Sequence, residues 1–248
     1  MLHYTVSGNG PTVTFLHGFT QTSQTWIPIL DVLGSEVTAT LIDAPGHGES
    51  FDGKRSLVDT ATDIAEIMPT GILVGYSMGA RMALHVALQH PKMVTHLVLI
   101  SGTPGLKTES ERDARRKSDD ELADRIEQLG VPAFIDEWLA LPIFSGLTKE
   151  TDQRSERLNN TPKGLADSLR FAGTGTQEPL WPHLQNLSMP TDLIVGDIDA
   201  KFTAIANDMK PLLQSGEVTI VPNAGHTVHL EDPITVGKLL DSVVLRNN

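Results

Sequence analysis

The segment that most constrains this chain is the pentapeptide Gly75-Tyr76-Ser77-Met78-Gly79. It follows an apolar run at 72–74 and precedes a segment whose apolar side chains recur at helical spacing. A strand, a sharp turn and a helix therefore meet at Ser77. This is the context of a nucleophile elbow, where glycines admit a strained turn and a serine hydroxyl is exposed at the carboxyl end of a strand. The pentapeptide alone is weak evidence, so its interpretation depends on the partners found elsewhere.

The rest of the chain predicts an α/β fold, because strand-like and helix-like segments alternate over residues 1–105. Such alternation indicates a mostly parallel central sheet with helices on both faces. Together with the elbow it indicates the α/β-hydrolase fold. The predicted strands are 2–7, 12–16, 37–42, 72–74, 94–101, 192–195 and 218–221. The predicted helices lie within 22–33, 57–67, 78–89, 201–213 and 233–245.

A change of composition marks an insertion. From residue 107 to about 185 the chain is rich in charge and is divided by prolines into short helical segments. Leu122, Ile126 and Leu129 form one apolar face of a charged helix. We therefore predict a helical lid at 107–185 that lies over the strand ends, inserted into an α/β core made of 1–106 and 186–248.

Composition excludes several classes of function. The 248 residues include no cysteine, which excludes disulfides, thiolate metal sites and cysteine nucleophiles. A formal net charge of -12 argues against a nucleic-acid partner, although screening over about 8 Å still permits an anionic small substrate. Without an apolar run that could span a bilayer, or a visible signal peptide, we expect a cytoplasmic protein with no membrane insertion. No feature indicates a metal site or an obligate protein partner.

Two downstream turns supply the partners that a nucleophilic serine needs. Gly196-Asp197-Ile198-Asp199 follows one predicted strand, and Ala224-Gly225-His226 follows the next. The order Ser, Asp, His is that of α/β hydrolases. Such chemistry needs a base beside the hydroxyl and a carboxylate that fixes the imidazole tautomer. We assign Ser77, Asp199 and His226 to a catalytic triad, with Asp197 as the alternative acid and His229 as a structural residue.

Two loops at strand ends complete the predicted site. The loop Leu16-His17-Gly18-Phe19 ends an early strand, and in this fold that loop supplies an oxyanion-hole amide. The backbone amides of Phe19 and Met78 are the candidates. The side chain of His17 is expected only to shape its loop. Residues 43–50 are interpreted as a scaffold loop with left-handed glycines.

An arginine one helical turn after the nucleophile does not suit an esterase for neutral substrates. Arg81 should lie on the same helix face as Ser77, near the site. The alternative is a salt bridge inside the scaffold. The predicted lid adds further arginines, which by themselves are typical of a solvated helix face; they are Arg112, Arg115, Arg116, Arg154 and Arg157.

The chain closely resembles the 2-succinyl-6-hydroxy-2,4-cyclohexadiene-1-carboxylate synthases, the menaquinone-pathway family of the α/β-hydrolase superfamily. The matching segments cover nearly the whole chain, and those in the predicted lid are the most specific. Ala80 departs from the family, which usually has a second glycine there. The matches are 16–20, 75–81, 102–106, 112–119, Trp138 with 142–144, 168–170, 173–177, 197–202 and 224–226.

The resemblance implies a lyase that removes pyruvate from a cyclohexene carrying an enolpyruvyl ether and a succinyl side chain, without a cofactor. The implied substrate is a small tricarboxylate. Guanidinium groups suit such a substrate because two N–H donors of one guanidinium can bind both oxygens of a carboxylate. By resemblance the substrate contacts are Tyr76, Arg81, Arg115, Trp138, Phe144 and Arg157. Core packing remains the alternative for Tyr76, Trp138 and Phe144, and Lys201 matches the family without an assigned role.

Two other functions stay open. A serine hydrolase of esters, or of C–C bonds in ring-cleavage products, would use the same triad and form an acyl-enzyme or activate a water. A small-molecule receptor that signals through its lid would need an apolar partner surface, which the charged lid does not suggest.

Overall fold

The computed structural model describes residues 1–247 and contains a seven-stranded sheet. The spatial order is β1-β3-β2-β4-β5-β6-β7; β1 is antiparallel to β3 and the other neighbours are parallel. The predicted mostly parallel α/β fold is confirmed. The strands are β1 (Tyr4–Gly8), β2 (Thr12–Leu16), β3 (Thr38–Ile42), β4 (Gly71–Tyr76), β5 (Val94–Ile100), β6 (Thr191–Gly196) and β7 (Val218–Val221).

Helices surround this sheet and connect its strands. Shorter 3-10 turns occupy Ser23–Trp26, Pro91–Met93, Pro142–Phe144, Trp181–Asn186 and Lys210–Leu212. The helices are α1 (Ile27–Leu30), α2 (Leu57–Ile67), α3 (Met78–Gln89), α4 (Glu109–Leu129), α5 (Val131–Leu139), α6 (Arg154–Arg157), α7 (Pro162–Ala172), α8 (Ala200–Met209), α9 (Val228–Glu231) and α10 (Pro233–Arg246).

The alternation of side chains along each strand divides the core into two halves. Successive side chains of a strand point to opposite faces. In β4, Leu73 belongs to the cluster that packs on α2, α3 and α8, whereas Ile72 and Val74 belong to the cluster that packs on α1 and α10. Both faces of the central strands are therefore buried, which explains their continuous apolar sequences.

The segment between β5 and β6 has a small hydrophobic cluster of its own. Ala123 and Ile126 of α4 pack with Phe134 of α5 and with Leu165 and Leu169 of α7. Leu122 and Leu129 lie at the edge of this cluster, on the apolar face that the sequence indicates. The boundaries of the lid at 107 and 185 stay a prediction.

Parallel pairing brings the carboxyl ends of the strands to one edge. Leu16 pairs with Gly75, Tyr76 with Ile100, and Ile100 with Ile194. The loops that follow β2, β4, β6 and β7 therefore start side by side. These are the loops that carry the predicted triad and oxyanion-hole residues.

The turn after β4 is strained. Ser77 has φ 50° and ψ -103°, a conformation that side chains other than glycine rarely adopt. A Cβ on Gly75 would overlap the backbone of Gly79, and a Cβ on Gly79 would overlap the carbonyl oxygens of Leu16 and His17. Glycine is therefore required at both positions, because backbone lies directly against backbone.

Among residues 1–247, no helix is long and apolar enough to span a membrane.

We predict that Gly79→Ala destabilises the protein by about 1–3 kcal/mol, because the added methyl group must displace backbone of β2. Urea unfolding measures the change. Gly34→Ala is the matched control, since its Cβ would meet a side chain rather than backbone, the carboxylate of Asp241 at 3.2 Å. Equal losses of stability in the two variants would contradict the close packing described for the turn.

Candidate active site

Three side chains from three loops form a row of hydrogen bonds. The hydroxyl of Ser77 lies 3.0 Å from Nε2 of His226, and Nδ1 of His226 lies 2.7 Å from Oδ2 of Asp199. The other oxygen of Asp199 accepts the Phe202 amide at 3.1 Å, at the start of α8. Asp197 is exposed, and its side chain forms no hydrogen bond within residues 1–247. Of the two candidate acids, Asp199 is the one beside His226.

This arrangement fixes the direction in which a proton can move. A carboxylate only accepts, so Nδ1 of His226 carries its hydrogen toward Asp199 and leaves Nε2 unprotonated toward Ser77. The imidazole can then take a proton from the serine hydroxyl, or through it from a bound molecule. Both Asp199 and His226 have nearly buried side chains, which shields the pair from water.

The oxyanion-hole candidates are the backbone amides of Phe19 and Met78. Met78 is the first residue of α3, so its N–H has no acceptor inside the helix. In the other loop, Gly18 N–H donates to Gln21 Oε1 at 2.9 Å and Thr20 N–H donates to His47 Nε2 at 3.2 Å. Phe19 N–H, between them, donates to no acceptor within residues 1–247. Both Phe19 and Met78 line the same cavity as Ser77.

Two buried histidines hold the Phe19 loop in place. Nε2 of His17 accepts the Ala44 amide at 3.0 Å, and its Nδ1–H donates to the Gly18 carbonyl at 2.8 Å. His47 accepts from Thr20 in the same way and donates to the Pro45 carbonyl at 3.0 Å. Burial lowers the pKa of His17 and lowers that of His47 to about 3, so both rings are neutral. The side chain of His17 shapes its loop, as the sequence indicates.

A cavity of about 290 Å³ opens above Ser77. The core and the segment between β5 and β6 both contribute to its wall. The structure brings together in that wall all six residues for which the resemblance implies substrate contact. They are Tyr76, Arg81, Arg115, Trp138, Phe144 and Arg157. Residues 1–247 hold no group of three or more histidine, cysteine, aspartate or glutamate side chains that could bind a metal ion.

Two of the arginines in this wall are buried without a carboxylate partner in the described chain. Arg81 is 6% exposed and donates to the Ala172 carbonyl at 2.8 Å. Arg157 is 1% exposed and donates to the Asp152 carbonyl and to the Thr20 hydroxyl. Burial lowers each pKa to about 10, and the Arg115 charge adds to the effect at Arg81. Both groups still carry their charge at neutral pH, and neither forms the internal salt bridge considered for Arg81.

The remaining arginines are compensated by carboxylates. Arg115 has a side chain 40% exposed and donates to Asp119 at 2.7 Å, so part of its charge is already neutralised. Arg116 and Arg154 form exposed ion pairs outside the cavity wall. Arg112 is buried and pairs with Glu109. For Arg112 the interpretation as a solvated helix face is wrong, because its guanidinium folds back onto the start of α4 and donates to the Leu106 carbonyl.

The aromatic side chains of the wall differ in their free polar groups. The Tyr76 hydroxyl already donates to Thr227 Oγ1 at 3.4 Å, and burial raises the Tyr76 pKa. The indole N–H of Trp138 is buried and has no acceptor within residues 1–247. Its ring packs against Phe19 and Phe144, with centroids 5.4 and 5.5 Å away. Trp138 therefore has an unused donor within the cavity wall. Contact of Trp138 or Tyr76 with a substrate stays a prediction.

The cavity wall also contains residues that sequence reasoning missed or left without a role. Lys201 and Phe202 follow Asp199 after Ala200, and their place in a matched segment was the available signal. Ser168 lies in the matched segment 168–170 without an assigned role, and Gln21 carried no signal, because its orientation depends on loop packing. The additional polar wall residues are Gln21, Thr103, Ser168, Thr174 and Lys201. His229, one turn after His226, is fully buried and packs on Tyr76 with ring centroids 4.2 Å apart, as a structural residue would.

Comparison with known proteins identifies the family. The sequence model of the alpha/beta hydrolase family matches residues 15–236. The chain belongs to the α/β-hydrolase family. A Bacillus subtilis protein provisionally named 2-succinyl-6-hydroxy-2,4-cyclohexadiene-1-carboxylate synthase is 40% identical over 96% of this chain and 93% of its own. The Yersinia enterocolitica synthase of that name is 32% identical over 90% of this chain and 83% of its own.

Solved structures agree with these relatives. The structure of MenH from Staphylococcus aureus superposes with a TM-score of 0.92 at 31% identity, covering 100% of this chain and 99% of that one. A thermophilic esterase from Thermogutta terrifontis has a TM-score of 0.85 at 22% identity over 99% and 93% of the two chains, which shows the shared fold alone. Within the α/β hydrolases, the chain belongs to the 2-succinyl-6-hydroxy-2,4-cyclohexadiene-1-carboxylate synthase family, and the resemblance is confirmed.

We predict that Asp199→Asn in this α/β hydrolase slows the reaction of Ser77 with a fluorophosphonate by about a thousandfold or more, because Nδ1 of His226 loses the acceptor that fixes its tautomer. Asp197→Asn is the matched control and should react at nearly the wild-type rate. Intact-mass spectrometry over time measures both rates. A severe defect in the Asp197 variant beside a mild one in the Asp199 variant would reverse the assignment.

A second prediction concerns pH. The pKa of His47 is about 3 in the folded protein, whereas an unfolded histidine titrates near 6.5. Protonation therefore favours the unfolded chain, and stability is lost as pH falls below 6.5 toward 3. At pH 5 the loss from one such histidine is about 2 kcal/mol.

Urea unfolding at pH 7 and pH 5 tests this loss. His47→Gln should lose about 2 kcal/mol less than the wild type between these pH values, because glutamine binds no proton. The exposed His183→Gln is the control and should leave the pH dependence unaltered. Identical pH dependence in the wild type and the His47 variant would show that His47 is not held neutral by burial.

Proposed function

We propose that the protein eliminates pyruvate from 2-succinyl-5-enolpyruvyl-6-hydroxy-3-cyclohexene-1-carboxylate and so forms 2-succinyl-6-hydroxy-2,4-cyclohexadiene-1-carboxylate in menaquinone biosynthesis. Membership of the synthase family supports the proposal. The structural observation that carries it is the pair of buried, unpaired guanidinium groups, Arg81 and Arg157, in the cavity that contains the Ser77 hydroxyl. A site for neutral esters has no use for two desolvated positive charges, whereas a substrate with three carboxylates does.

The electrostatics of the cavity favour an anionic ligand. A buried charge without a partner destabilises a protein, so a bound carboxylate that supplies the partner gains more here than at the surface. Arg81 and Arg157 each use one or two donors inside the protein and keep others for a ligand. Arg115 can add a third charge if its ion pair with Asp119 is shared with the substrate. Trp138 offers its indole N–H, and Phe144 contributes apolar wall.

The chemistry needs a base rather than an acyl acceptor. Ser77, with its proton drawn by His226, removes a carbon-bound proton next to the succinyl carbonyl. The electrons move through the ring, the bond between ring carbon and ether oxygen breaks, and pyruvate leaves as its enolate, which takes up a proton. Neither water nor a redox partner is consumed. Asp199 stabilises the imidazolium that forms while His226 holds the proton.

Negative charge on the succinyl carbonyl oxygen needs stabilisation during proton removal. We assign this role to the Phe19 and Met78 amides, which is supported by two observations: both residues line the cavity, and Phe19 N–H has no acceptor within residues 1–247. Donors that are fixed before the reaction and shielded from water stabilise such charge strongly. The same groups would stabilise a tetrahedral intermediate, so the hydrogen-bonded triad also supports a serine hydrolase as the second candidate.

We predict that Arg81→Ala, Arg115→Ala and Arg157→Ala each lower kcat/KM for pyruvate release by about ten- to a hundredfold, because a charge-assisted hydrogen bond to substrate is worth roughly 1.5–3 kcal/mol. A coupled pyruvate assay measures the effect. Arg55→Ala and Arg246→Ala are controls, since both residues pair with carboxylates that are not part of the cavity wall. Equal, negligible effects in all five variants would argue against a tricarboxylate substrate.

The lyase and the hydrolase are separated by their intermediates. We predict that Ser77→Ala abolishes pyruvate release, by several powers of ten, while the fold stays intact. With its own substrate the wild type should show no burst and no covalent adduct on Ser77 in quenched samples. Deuterium at the carbon that loses its proton should slow turnover if that step limits the rate.

Simple aryl esters are the discriminating substrates. They carry none of the carboxylates that the arginines would bind, so the protein should turn them over poorly. Rapid ester hydrolysis without pyruvate formation, or an acyl-serine that accumulates with the proposed substrate, would overturn the lyase and favour the hydrolase.

A further inference from the structure

One carboxylate binds the backbone on both sides of His226. Oε2 of Glu231, the last residue of α9, accepts the Gly225 amide at 2.6 Å, and Oε1 accepts the Thr227 amide at 2.9 Å. Hydrogen bonds to a charged acceptor are stronger than those between neutral groups. Glu231 therefore fixes the backbone on both sides of His226, the residue whose imidazole faces Ser77.

The loop that carries His226 depends on such bonds. Residues 222–227 belong to no strand and no helix, so no ladder of backbone hydrogen bonds fixes their position. Within residues 1–247, the other side-chain bond to the backbone of 222–227 comes from Ser101, whose hydroxyl donates to the His226 carbonyl at 2.8 Å. Removing the Glu231 carboxylate would free two backbone amides, one on each side of His226, and leave the Ser101 bond in place.

The same carboxylate lies against the segment between β5 and β6. A Cβ built on Gly146 would overlap Oε2 of Glu231. Gly146 lies in the turn that follows Phe144, and this turn is closed by a hydrogen bond from the Leu147 amide to the Phe144 carbonyl at 3.0 Å. Phe144 is part of the cavity wall. The oxygen that binds Gly225 is therefore in contact with the backbone that carries Phe144.

We propose that Glu231 is a positioning residue for His226, and that its contact with Gly146 links the cavity wall at Phe144 to the alignment of His226 with Ser77. When the Phe144 turn moves, the carboxylate moves with it, and the two amides that it binds shift the imidazole. The inference rests on the proposed role of His226 but not on the identity of the substrate.

The rate at which a fluorophosphonate labels Ser77 measures how well Ser77 and His226 are aligned, and it needs no natural substrate. Its phosphorus bonds to the Ser77 oxygen as the P–F bond breaks; the serine proton passes to His226 and fluoride leaves. Glu231→Gln keeps the side-chain length but places an NH₂ group against a backbone N–H. We expect labelling of Ser77 and kcat for pyruvate release to fall by about ten- to a hundredfold, with KM within about twofold of the wild type.

Asp232→Asn is the matched control. Asp232 is the adjacent carboxylate and also accepts a backbone amide, that of Thr235 at 3.0 Å, but at the start of α10 rather than beside His226. Its variant should keep the wild-type labelling rate and kcat. A Glu231→Gln variant with a lowered melting temperature but unchanged labelling rate and kcat would overturn the proposal, because it would show a role in stability alone.

The link to the cavity wall is tested by a double-mutant cycle. Gly146→Ala should slow labelling in the wild type, because its methyl group displaces the Glu231 carboxylate, but should have little further effect in Glu231→Ala, where the overlap is gone. Ser145→Ala controls for change in the turn itself. Additive effects would overturn the link.

A wild type that is not labelled at Ser77 would overturn the role of His226 and this proposal together, whereas equal labelling of wild type and Glu231 variants would overturn this proposal alone.

Discussion

The site depends on backbone packed directly against backbone at the turn after β4. Ser77 adopts a conformation that L-amino acids avoid, and it is held there because the neighbouring glycines leave no space for relaxation. That single constraint places the hydroxyl at the carboxyl edge of the sheet and starts α3 at Met78. Met78 then lines the same cavity as Ser77. The strained turn follows β4, all of whose residues are buried between parallel neighbours.

A second constraint is electrostatic. The cavity keeps the guanidinium groups of Arg81 and Arg157 away from water, with no carboxylate of residues 1–247 paired to them. Burial lowers the pKa of each to about 10. Proteins seldom retain such groups unless they serve a ligand, since replacing them would raise stability. The third arginine of the wall, Arg115, shows the ordinary solution, an ion pair with Asp119. The proposed tricarboxylate substrate rests on this contrast between the arginines.

The supporting residues are as specific as those they support. His17 and His47 are neutral and bind backbone groups of the Phe19 loop, and Gln21 accepts the Gly18 amide. Within residues 1–247 the Gly18 and Thr20 amides are therefore satisfied, whereas the Phe19 amide has no acceptor. Glu231 acts in the same way on the His226 loop, and Asp199 also accepts the Phe202 amide at the start of α8. In each case a side chain replaces the hydrogen bonds that a loop lacks, and thereby fixes a reactive group.

Much of this could be predicted from the sequence, and the reasons are local. The pentapeptide around Ser77, the apolar strands before it and the turns at Asp199 and His226 follow from residue type and periodicity, because glycine, alternation and strand ends have short-range causes. The order of these segments along the chain determined the fold class and the candidate triad. What only the tertiary structure decided is which charges are compensated. Arg81 and Arg157 have no carboxylate partner within the described residues, whereas Arg112 is buried and paired with Glu109. Glu231 binds the loop beside His226 and also contacts Gly146. These outcomes depend on how the segments of the chain pack in three dimensions. Burial and pairing are properties of three-dimensional packing, and no pattern along a single chain records them.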